Sequence, residues 1–388
     1  MIAKKSLIIL SLVWLASHTI HSSPLFGTRG GNYEADFQWA IIGAGPAGII
    51  AAAVLRDLGT PDNAITLVDP EFNAGRMGAF YSNVPGNAKV KDVIDFLTCS
   101  KTFQEISCPA FDILYTMDPE FEYSLKYIVE PLIAITKHLC SKLECQKATL
   151  TSLSFENDVW RVGTTQKIFT ASHVILATGS HPKRLDYECK QEIILDQALD
   201  KPYLATAVGK DDTVAVVGSG QSAILLLKYL TEVIVGRVIN FYKKPIDFDN
   251  PESGLKGITA KWAQEVLLKK PPVNLLRLLN TPEALQAWLP ICTKIIYAIG
   301  FERNEIPLIG DAAQINFDDR NGIIGPRLFG IGIAFPEKIE DEAGNLTARI
   351  GLLSFMEYAQ EILPQWLAVK APLTRYEQFE DLFRIEIL

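Results

Sequence analysis

Two glycine-rich turns carry the strongest chemical signal in this sequence. The first, Gly43-Ala44-Gly45-Pro46-Ala47-Gly48, lies between two apolar runs, residues 37–42 and 49–55. The second, Gly218-Ser219-Gly220-Gln221-Ser222-Ala223, follows the apolar residues 213–217. In such strand–turn–helix segments the glycines permit a tight bend, close approach of a pyrophosphate and close packing of the helix, whose N-terminus attracts phosphate. Each turn therefore predicts one bound dinucleotide, and two in one chain predict hydride transfer between them.

The residues after each turn predict which dinucleotide binds there. Asp69 ends a β-branched strand over residues 64–69, and we expect its carboxylate to accept hydrogen bonds from a ribose 2′-OH. The strand after the second turn, residues 237–242, is followed instead by Lys243 and Lys244. Because a cation would pair with a 2′-phosphate that a carboxylate would repel, this favours NADPH, with NADH still possible. The alternative is a solvated lysine pair on a loop.

The composition limits the class of protein. A chain of 388 residues with 48% apolar and 21% charged residues indicates a globular protein with a large core and two or three domains. The net charge is -8, and no run of Lys and Arg is longer than a pair, so nucleic acid is not an expected partner. No zinc-type ligand spacing appears, so we expect no metal site. A small-molecule substrate is expected, and the oligomeric state is left open.

The N-terminus predicts export. Lys4 and Lys5 precede an apolar run over residues 6–16, and small and polar residues follow over 17–23. This order is typical of a secretory signal peptide, residues 1–23, and predicts a periplasmic or secreted protein with no stable membrane span after cleavage. The alternatives are an uncleaved N-terminal membrane anchor and a misassigned start.

The six cysteines offer no redox pair of the C-x-x-C or C-x4-C type beside a glycine turn. Cys140 and Cys145 have four residues between them but lie at a predicted helix end, away from both turns. In an exported protein, one or two structural disulfides and unpaired buried thiols are both open.

Several further elements follow from the pattern. The stretch from Gly75 to Lys91 is rich in Gly, Asn, Pro and Ser and predicts a long loop, which is more often functional than not. Apolar residues recur with helical spacing over residues 124–143 and predict a helix. Residues 173–179 and 294–301 predict buried strands that end in glycine. We expect His173 and the aromatic residues of the helix over 351–359 to belong to the core rather than to an active site.

These residues resemble the FAD- and NAD(P)-dependent pyridine nucleotide oxidoreductase superfamily, over almost all of the chain after the leader. The resemblance implies an α/β fold with two Rossmann-like three-layer dinucleotide-binding domains, the NAD(P)H domain being inserted in the FAD domain. The expected boundaries are residues 36–190 and 293–388 for the two parts of the FAD domain and 205–292 for the NAD(P)H domain. The chain would cross between domains at Ala177-Thr178-Gly179 and Ala298-Ile299-Gly300.

The resemblance also implies a set of cofactor-binding residues. For FAD these are Gly43, Gly45, Pro46, Ala47, Gly48, Asp69, Arg76, Thr178, Gly179, Gly300, Gly330 and Gly332. For NADPH they are Gly218, Gly220, Gln221, Ser222, Ala223, Lys243 and Lys244. Within the predicted loop, Asn83 and Asn87 are the candidate catalytic residues, which would hydrogen-bond to the flavin ring or the substrate, and Arg76 would hold a phosphate or an anionic substrate.

Within the superfamily, Gly-Ser-Gly-Gln-Ser-Ala and Gly351-Leu352-Leu353-Ser354 are similar to motifs of the N-hydroxylating flavin monooxygenases. Ile299 stands where that family has threonine, and the Phe-x-Gly-x-x-x-His signature of other flavin monooxygenases is missing. The resemblance implies a monooxygenase that uses NADPH and O2 to oxygenate an amine or a sulfur. Two alternatives remain: a flavoprotein reductase that reduces a quinone, a small disulfide or a partner protein, and a non-catalytic nucleotide-binding protein.

Overall fold

The computed structural model describes residues 35–187, 191–248, 254–309, 315–340, 344 and 346–369. The predicted leader, residues 1–23, and Cys189 lie outside the described residues. In the part that is described, no helix has both the length and the apolar character needed to cross a membrane.

The described strands are, in chain order, β1 (Phe37–Ile42), β2 (Ile65–Asp69), β3 (Pro85–Lys89), β4 (Glu122–Ser124), β5 (Glu144–Lys147), β6 (Leu150–Glu156), β7 (Val159–Thr164), β8 (Ile168–Leu176), β9 (Ser180–Pro182), β10 (Gln191–Glu192), β11 (Thr213–Val217), β12 (Arg237–Tyr242), β13 (Leu275–Leu279), β14 (Lys294–Tyr297), β15 (Phe301–Arg303), β16 (Ile323–Gly325), β17 (Leu328–Gly330), β18 (Lys338–Glu340) and β19 (Leu346–Ala348). The α-helices are α1 (Pro46–Asp57), α2 (Gly75–Phe80), α3 (Val90–Thr98), α4 (Lys101–Gln104), α5 (Pro109–Thr116), α6 (Lys126–Lys142), α7 (Leu195–Ala198), α8 (Lys201–Ala207), α9 (Gln221–Glu232), α10 (Gly257–Trp262), α11 (Pro282–Trp288) and α12 (Leu352–Leu367). Short 3-10 turns span Asp62–Ala64 and Leu289–Ile291, and a π-helical turn spans Ala263–Leu267.

The first sheet has the strand order β16-β17-β8-β1-β2-β5, and β7 pairs with β8 and with β6. Its central strands are parallel, with Ile41 opposite Leu67 on one side and Ile175 on the other. Helices α1, α6 and α12 pack together over one face, where the largest hydrophobic core lies. The other face is covered by the β6–β7 hairpin and a second core. Burial on both faces explains why β1 and β2 are rich in apolar residues.

The second sheet is parallel throughout, with the order β10-β14-β11-β12-β13. Alternate residues of β11 face opposite cores: Val214 and Val216 pack with helices α7 to α10, and Ala215 and Val217 pack towards α11. The two chain segments that connect the sheets, β9 and β15, pair with each other antiparallel, with His181 opposite Glu302. The predicted fold class, α/β with two Rossmann-like three-layer units, is confirmed.

The prediction of a loop from Gly75 to Lys91 is wrong in part, because α2 and β3 occupy most of it. Its glycines serve close backbone packing. A methyl group on Gly78 would overlap the carbonyl oxygen of Asn73, and one on Gly86 would lie 2.7 Å from the carbonyl oxygen of Tyr123. The composition that suggested irregular structure therefore reflects short elements packed closely against their neighbours.

Candidate functional site

The first glycine turn is held to the end of the first sheet by its backbone. Gly43 has a positive φ of 106° and donates its N–H to the carbonyl of Val68 at 2.8 Å. A methyl group on Gly43 would overlap the carbonyl oxygen of Ala177, and one on Gly48 would overlap the carbonyl oxygen of Gly43. Both positions therefore require glycine, one for the bend and the other for the close approach of α1 to the turn.

The N-terminus of α1 has the features of an anion site. Gly45 is its N-cap, and among the described residues no side chain caps the helix. The Cα of Gly75 lies 3.9 Å from the position that a Cβ on Gly45 would take. A methyl group on Gly332 would overlap the Cβ of Ala47, so the chain after β17 also reaches the first turn of α1. The structure thus brings three of the predicted flavin segments together around one helix end, where backbone N–H groups and the helix dipole favour phosphate.

The side chain of Asp69 stabilises the first glycine turn through hydrogen bonds. Its side chain is buried, and Oδ2 accepts a hydrogen bond from the N–H of Ala44 at 2.8 Å. Oδ1 accepts from the N–H groups of Glu71 at 2.8 Å and Phe72 at 2.7 Å. The carboxylate therefore fixes the turn through its neighbours, and its contact with a ribose remains a prediction.

A hydroxyl group without a partner lies at the end of β8. Thr178 Oγ1 is buried and has no hydrogen-bond partner within the described structure, while its carbonyl accepts from Asn304 Nδ2 at 2.7 Å. Asn304 Oδ1 in turn accepts a hydrogen bond from His181 Nδ1 at 2.8 Å. Gly179 follows with a positive φ of 71°. A buried hydroxyl left free beside the first turn indicates a place for a polar ligand atom.

The second turn repeats the backbone geometry of the first. Gly218 has a φ of 132°, donates to the carbonyl of Phe241 at 2.8 Å and would overlap the carbonyl oxygen of Ala298 if it carried a methyl group. The N–H of Ile224 donates to Gly220 at 3.0 Å, as that of Ile49 does to Gly45. Among the described residues, no atom lies within 4 Å of a Cβ built on Gly220, and no side chain caps α9. Neither helix end therefore has a side-chain cap, and the end of α9 has open space for a phosphate among the described residues.

The structure also places the other predicted residues at and near this turn. Gln221 donates to Thr259 Oγ1 at 2.9 Å and accepts from the N–H of Lys256 at 3.1 Å, so it joins α9 to the start of α10. Ala223 is fully buried, whereas Ser222 is half-buried. Gly300 is exposed, has a φ of 95° and accepts a hydrogen bond from the N–H of Lys183 at 3.0 Å.

The equivalence of the two turns places Tyr242 where the first unit has Asp69, because each follows the residue whose carbonyl accepts from the first glycine. Lys243 and Lys244 come next; both are exposed and have no partner in the described residues. From the neighbouring strand, the guanidinium of Arg277 lies 4.6 Å from the ring centre of Tyr242. Two exposed lysines thus directly follow β12, and a third cation, Arg277, lies beside its last residue.

Sequence analysis missed Arg277. Its Nε donates to Asn240 Oδ1 at 3.0 Å, and its Nη2 is buried without a partner in the described structure. Burial lowers the pKa of this guanidinium, and the neighbouring Tyr242 opposes that shift. A single charge within the apolar strand Leu275-Leu276-Arg277-Leu278-Leu279 was the signal that could have identified it.

The side chain of Arg76 is held by an ion pair within the protein. Its Nη2 forms an ion pair with Asp196, whose other carboxylate oxygen accepts a hydrogen bond from the Tyr81 hydroxyl. Burial raises the pKa of Tyr81, and the nearby Arg76 opposes the shift. Asn83, in the turn between α2 and β3, is exposed, and Asn87 lies within β3. Asp196 was not identified because nothing in its local sequence points to Arg76.

The described cysteines form one disulfide, Cys140–Cys145. Cys140 lies in the last turn of α6 and Cys145 near the start of β5. The disulfide therefore joins α6 to β5, the last strand in the order of the first sheet, where Cys145 lies opposite Leu67 of β2. Cys99, Cys108 and Cys292 form no disulfide among the described residues.

The prediction that His173 is a core residue is confirmed. Its ring is buried and stacks on Trp39 with 4.4 Å between ring centres. The ring nitrogens lie 3.3 Å from the carbonyl oxygen of Gln38 and 3.2 Å from that of Val369. Burial lowers the pKa of His173, and the two carbonyl contacts partly oppose this shift.

Comparison with known proteins agrees with this geometry. A family model described as pyridine nucleotide-disulphide oxidoreductase matches residues 37–238, more than half of the chain. The protein "Monooxygenase AgnR1" from Paecilomyces divaricatus is 28% identical over 384 residues, covering 84% of this chain and 97% of its own.

Solved structures share the fold. DfoA bound to FAD, described as the cadaverine monooxygenase of desferrioxamine biosynthesis from Erwinia amylovora, matches with a TM-score of 0.61 and 13% identity, over 88% of this chain and 97% of its own. The bacillithiol disulfide reductase from Staphylococcus aureus matches with a TM-score of 0.57 and 13% identity, over 87% and 100%. At such identities the likeness concerns the fold, which monooxygenases and reductases have in common.

Proposed function

Because the chain belongs to the pyridine nucleotide-disulphide oxidoreductase family, a family of flavin-dependent oxidoreductases, we propose that it is an NADPH-oxidising monooxygenase that acts on the amine or sulfur of a small molecule. The observation that carries this choice is the relative "Monooxygenase AgnR1", which aligns over nearly its whole length. The Cys140–Cys145 disulfide supports it, because that pair joins α6 to the outer strand β5 and belongs to neither glycine turn.

The residues around α1 fit FAD. The uncapped helix end at Gly45 would hold the pyrophosphate, and the free hydroxyl of Thr178 would donate to or accept from a flavin atom. When bound, FAD accepts a hydride from NADPH and passes electrons to O2, so that substrate, O2, NADPH and H⁺ give oxygenated substrate, NADP⁺ and water. The segment at Gly332, which reaches the first turn of α1, would help to hold the cofactor there.

The residues around α9 fit NADPH. The open helix end at Gly220 would bind the pyrophosphate, and Lys243, Lys244 and Arg277 would surround the 2′-phosphate. Tyr242 would stack on the adenine or on Arg277. A carboxylate at the position of Tyr242 would instead select against the 2′-phosphate. The free Nη2 of Arg277 gives the site a donor that needs a partner.

The asparagines of the segment between α2 and α3 would act at the reacting end. Asn83 is exposed between two residues that are packed into the protein, so its amide can reach a ligand without losing an internal partner. We assign Asn83 and Asn87 to hydrogen bonds with the flavin ring or the substrate nitrogen or sulfur. An amide suits this role because it donates and accepts without a change of charge.

The proposal is tested with isotope-labelled O2. The FAD-loaded protein is incubated with NADPH and a panel of small amines and sulfides, and product oxygen is read by mass spectrometry while hydrogen peroxide is measured in parallel. A monooxygenase incorporates label into a product and releases less peroxide as that substrate is added. NADPH oxidation that reduces a quinone or a disulfide without labelled product would identify a reductase, and no NADPH oxidation would identify a non-catalytic nucleotide-binding protein.

A further inference from the structure

One short segment, residues 75–86, touches both sheets; we name it the bridging segment. At its start, a Cβ on Gly75 would lie 2.9 Å from the Cα of Gly45, so the segment rests on the first glycine turn. Further along, Tyr81 and Val84 pack against the hydrophobic core of the second sheet. The placement of this segment therefore depends on both halves of the molecule.

A single buried carboxylate binds the bridging segment at two points. Asp196 belongs to α7, which packs against β14 of the second sheet, and its side chain is only 6% exposed. One oxygen is paired with Arg76 Nη2 and the other accepts from the Tyr81 hydroxyl. Separating these groups would leave a buried carboxylate without partners, which proteins tolerate poorly.

The backbone on either side of Asn83 is held by two further hydrogen bonds, both from residues at the end of β4. The carbonyl of Ser82 accepts from Ser124 Oγ at 3.0 Å, and that of Val84 accepts from the N–H of Leu125 at 2.9 Å. Asn83 is thus an exposed side chain on a backbone held at both sides, with Asp196 supplying the link to the second sheet.

From this arrangement we infer that Asp196 is a positioning residue for hydride transfer: through Arg76 and Tyr81 it holds the bridging segment, and with it Asn83, against the half of the molecule that would carry NADPH. The inference rests on the proposed function. It assigns Arg76 to an internal ion pair rather than to a phosphate. Because hydride transfer requires the two rings to be in contact, a small misplacement of the halves slows it without removing either nucleotide.

The kinetic test compares Asp196→Asn and Tyr81→Phe with the unsubstituted holoprotein. On anaerobic mixing with saturating NADPH, flavin reduction is expected to slow by at least ~10-fold in Asp196→Asn and several-fold in Tyr81→Phe, with KM for NADPH changed by less than ~3-fold. Asp196→Glu should recover part of the rate. The matched control is Asp62→Asn, which breaks another Arg–Asp pair, Arg56 Nε–Asp62 Oδ1 at 2.7 Å, and should leave the rate unchanged.

A second experiment measures whether the contact of Asp196 with Arg76 and Tyr81 is lost. Trypsin cleavage of the native holoprotein after Arg76 is measured by mass spectrometry, and it should accelerate by at least ~10-fold in Asp196→Asn but not in Asp62→Asn. Unchanged cleavage, or faster cleavage with an unchanged reduction rate, would overturn the inference. If NADPH does not reduce the flavin of the unsubstituted protein while Asp196→Asn still exposes Arg76, the proposed function fails and Asp196 keeps only a structural role.

Discussion

The cations at the end of β12 should decide the preference between NADPH and NADH. We consider Lys243→Ala/Lys244→Ala. Both side chains are exposed, so water screens their attraction for a 2′-phosphate, and each contact is worth ~1 kcal/mol. Loss of both should cost ~2 kcal/mol of binding free energy, which is an increase of ~30-fold in KM for NADPH. KM for NADH, which carries no 2′-phosphate, should change little.

Arg277 should contribute more than either lysine, because its guanidinium is partly buried and its Nη2 has no partner in the described structure. A charge-assisted hydrogen bond of this kind is worth ~1.5–3 kcal/mol, so Arg277→Met should raise KM for NADPH by ~10- to 100-fold. Steady-state rates measured over a full concentration range of each nucleotide give kcat and KM for NADPH and for NADH.

The matched control is Lys269→Ala/Lys270→Ala, which removes the same charge from another exposed lysine pair in the chain segment of the second sheet. It should leave both KM values unchanged. The reasoning is refuted if Lys243→Ala/Lys244→Ala raises KM for NADH as much as for NADPH, or if the control pair has the same effect as the pair after β12.

Three other predictions concern single features. Gly48→Ala should destabilise the fold by at least ~2 kcal/mol, because its methyl group would overlap a backbone carbonyl. Gly220→Ala, which has open space around it in the described structure, should keep the melting temperature and weaken NADPH binding. Equal losses of stability in the two variants would contradict this. Because burial lowers the pKa of His173, unfolded protein takes up a proton that the folded ring does not, so stability should fall as the pH drops below ~6.5, and His173→Phe should show a shallower fall in denaturant titrations. Replacing Cys140 and Cys145 by alanine should cost ~2 kcal/mol of stability and leave the rate of flavin reduction unchanged; a slower reduction would give the disulfide a part in the reaction.

The core of the fold was accessible from sequence because it depends on local patterns. The strand before each glycine turn and strand β12 were predicted to within one or two residues, and a helix follows each turn as predicted. The helix predicted over residues 124–143 is α6. Apolar runs of β-branched residues and glycines at fixed spacing specify a buried strand, a bend and a helix start whatever the rest of the chain does.

The regions between these patterns were not accessible in the same way. The bridging segment contains glycines that suggested a loop, yet those glycines allow α2 and β3 to pack closely. The pairing of Arg76 with Asp196 joins residues that are far apart in sequence, and no local pattern encodes it. Arg277 acquires its importance from its neighbour Tyr242 on β12, a relation that exists only once the parallel register is set.

The central claim is that the two glycine turns bind two nucleotides and that a hydride passes from one nucleotide to the other. The most direct test is anaerobic addition of NADPH to the FAD-loaded protein while the long-wavelength absorbance band of the flavin is followed. We expect that band to be lost with one equivalent of NADPH per flavin. A band that stays unchanged with NADPH and NADH, yet disappears with dithionite, would contradict the claim.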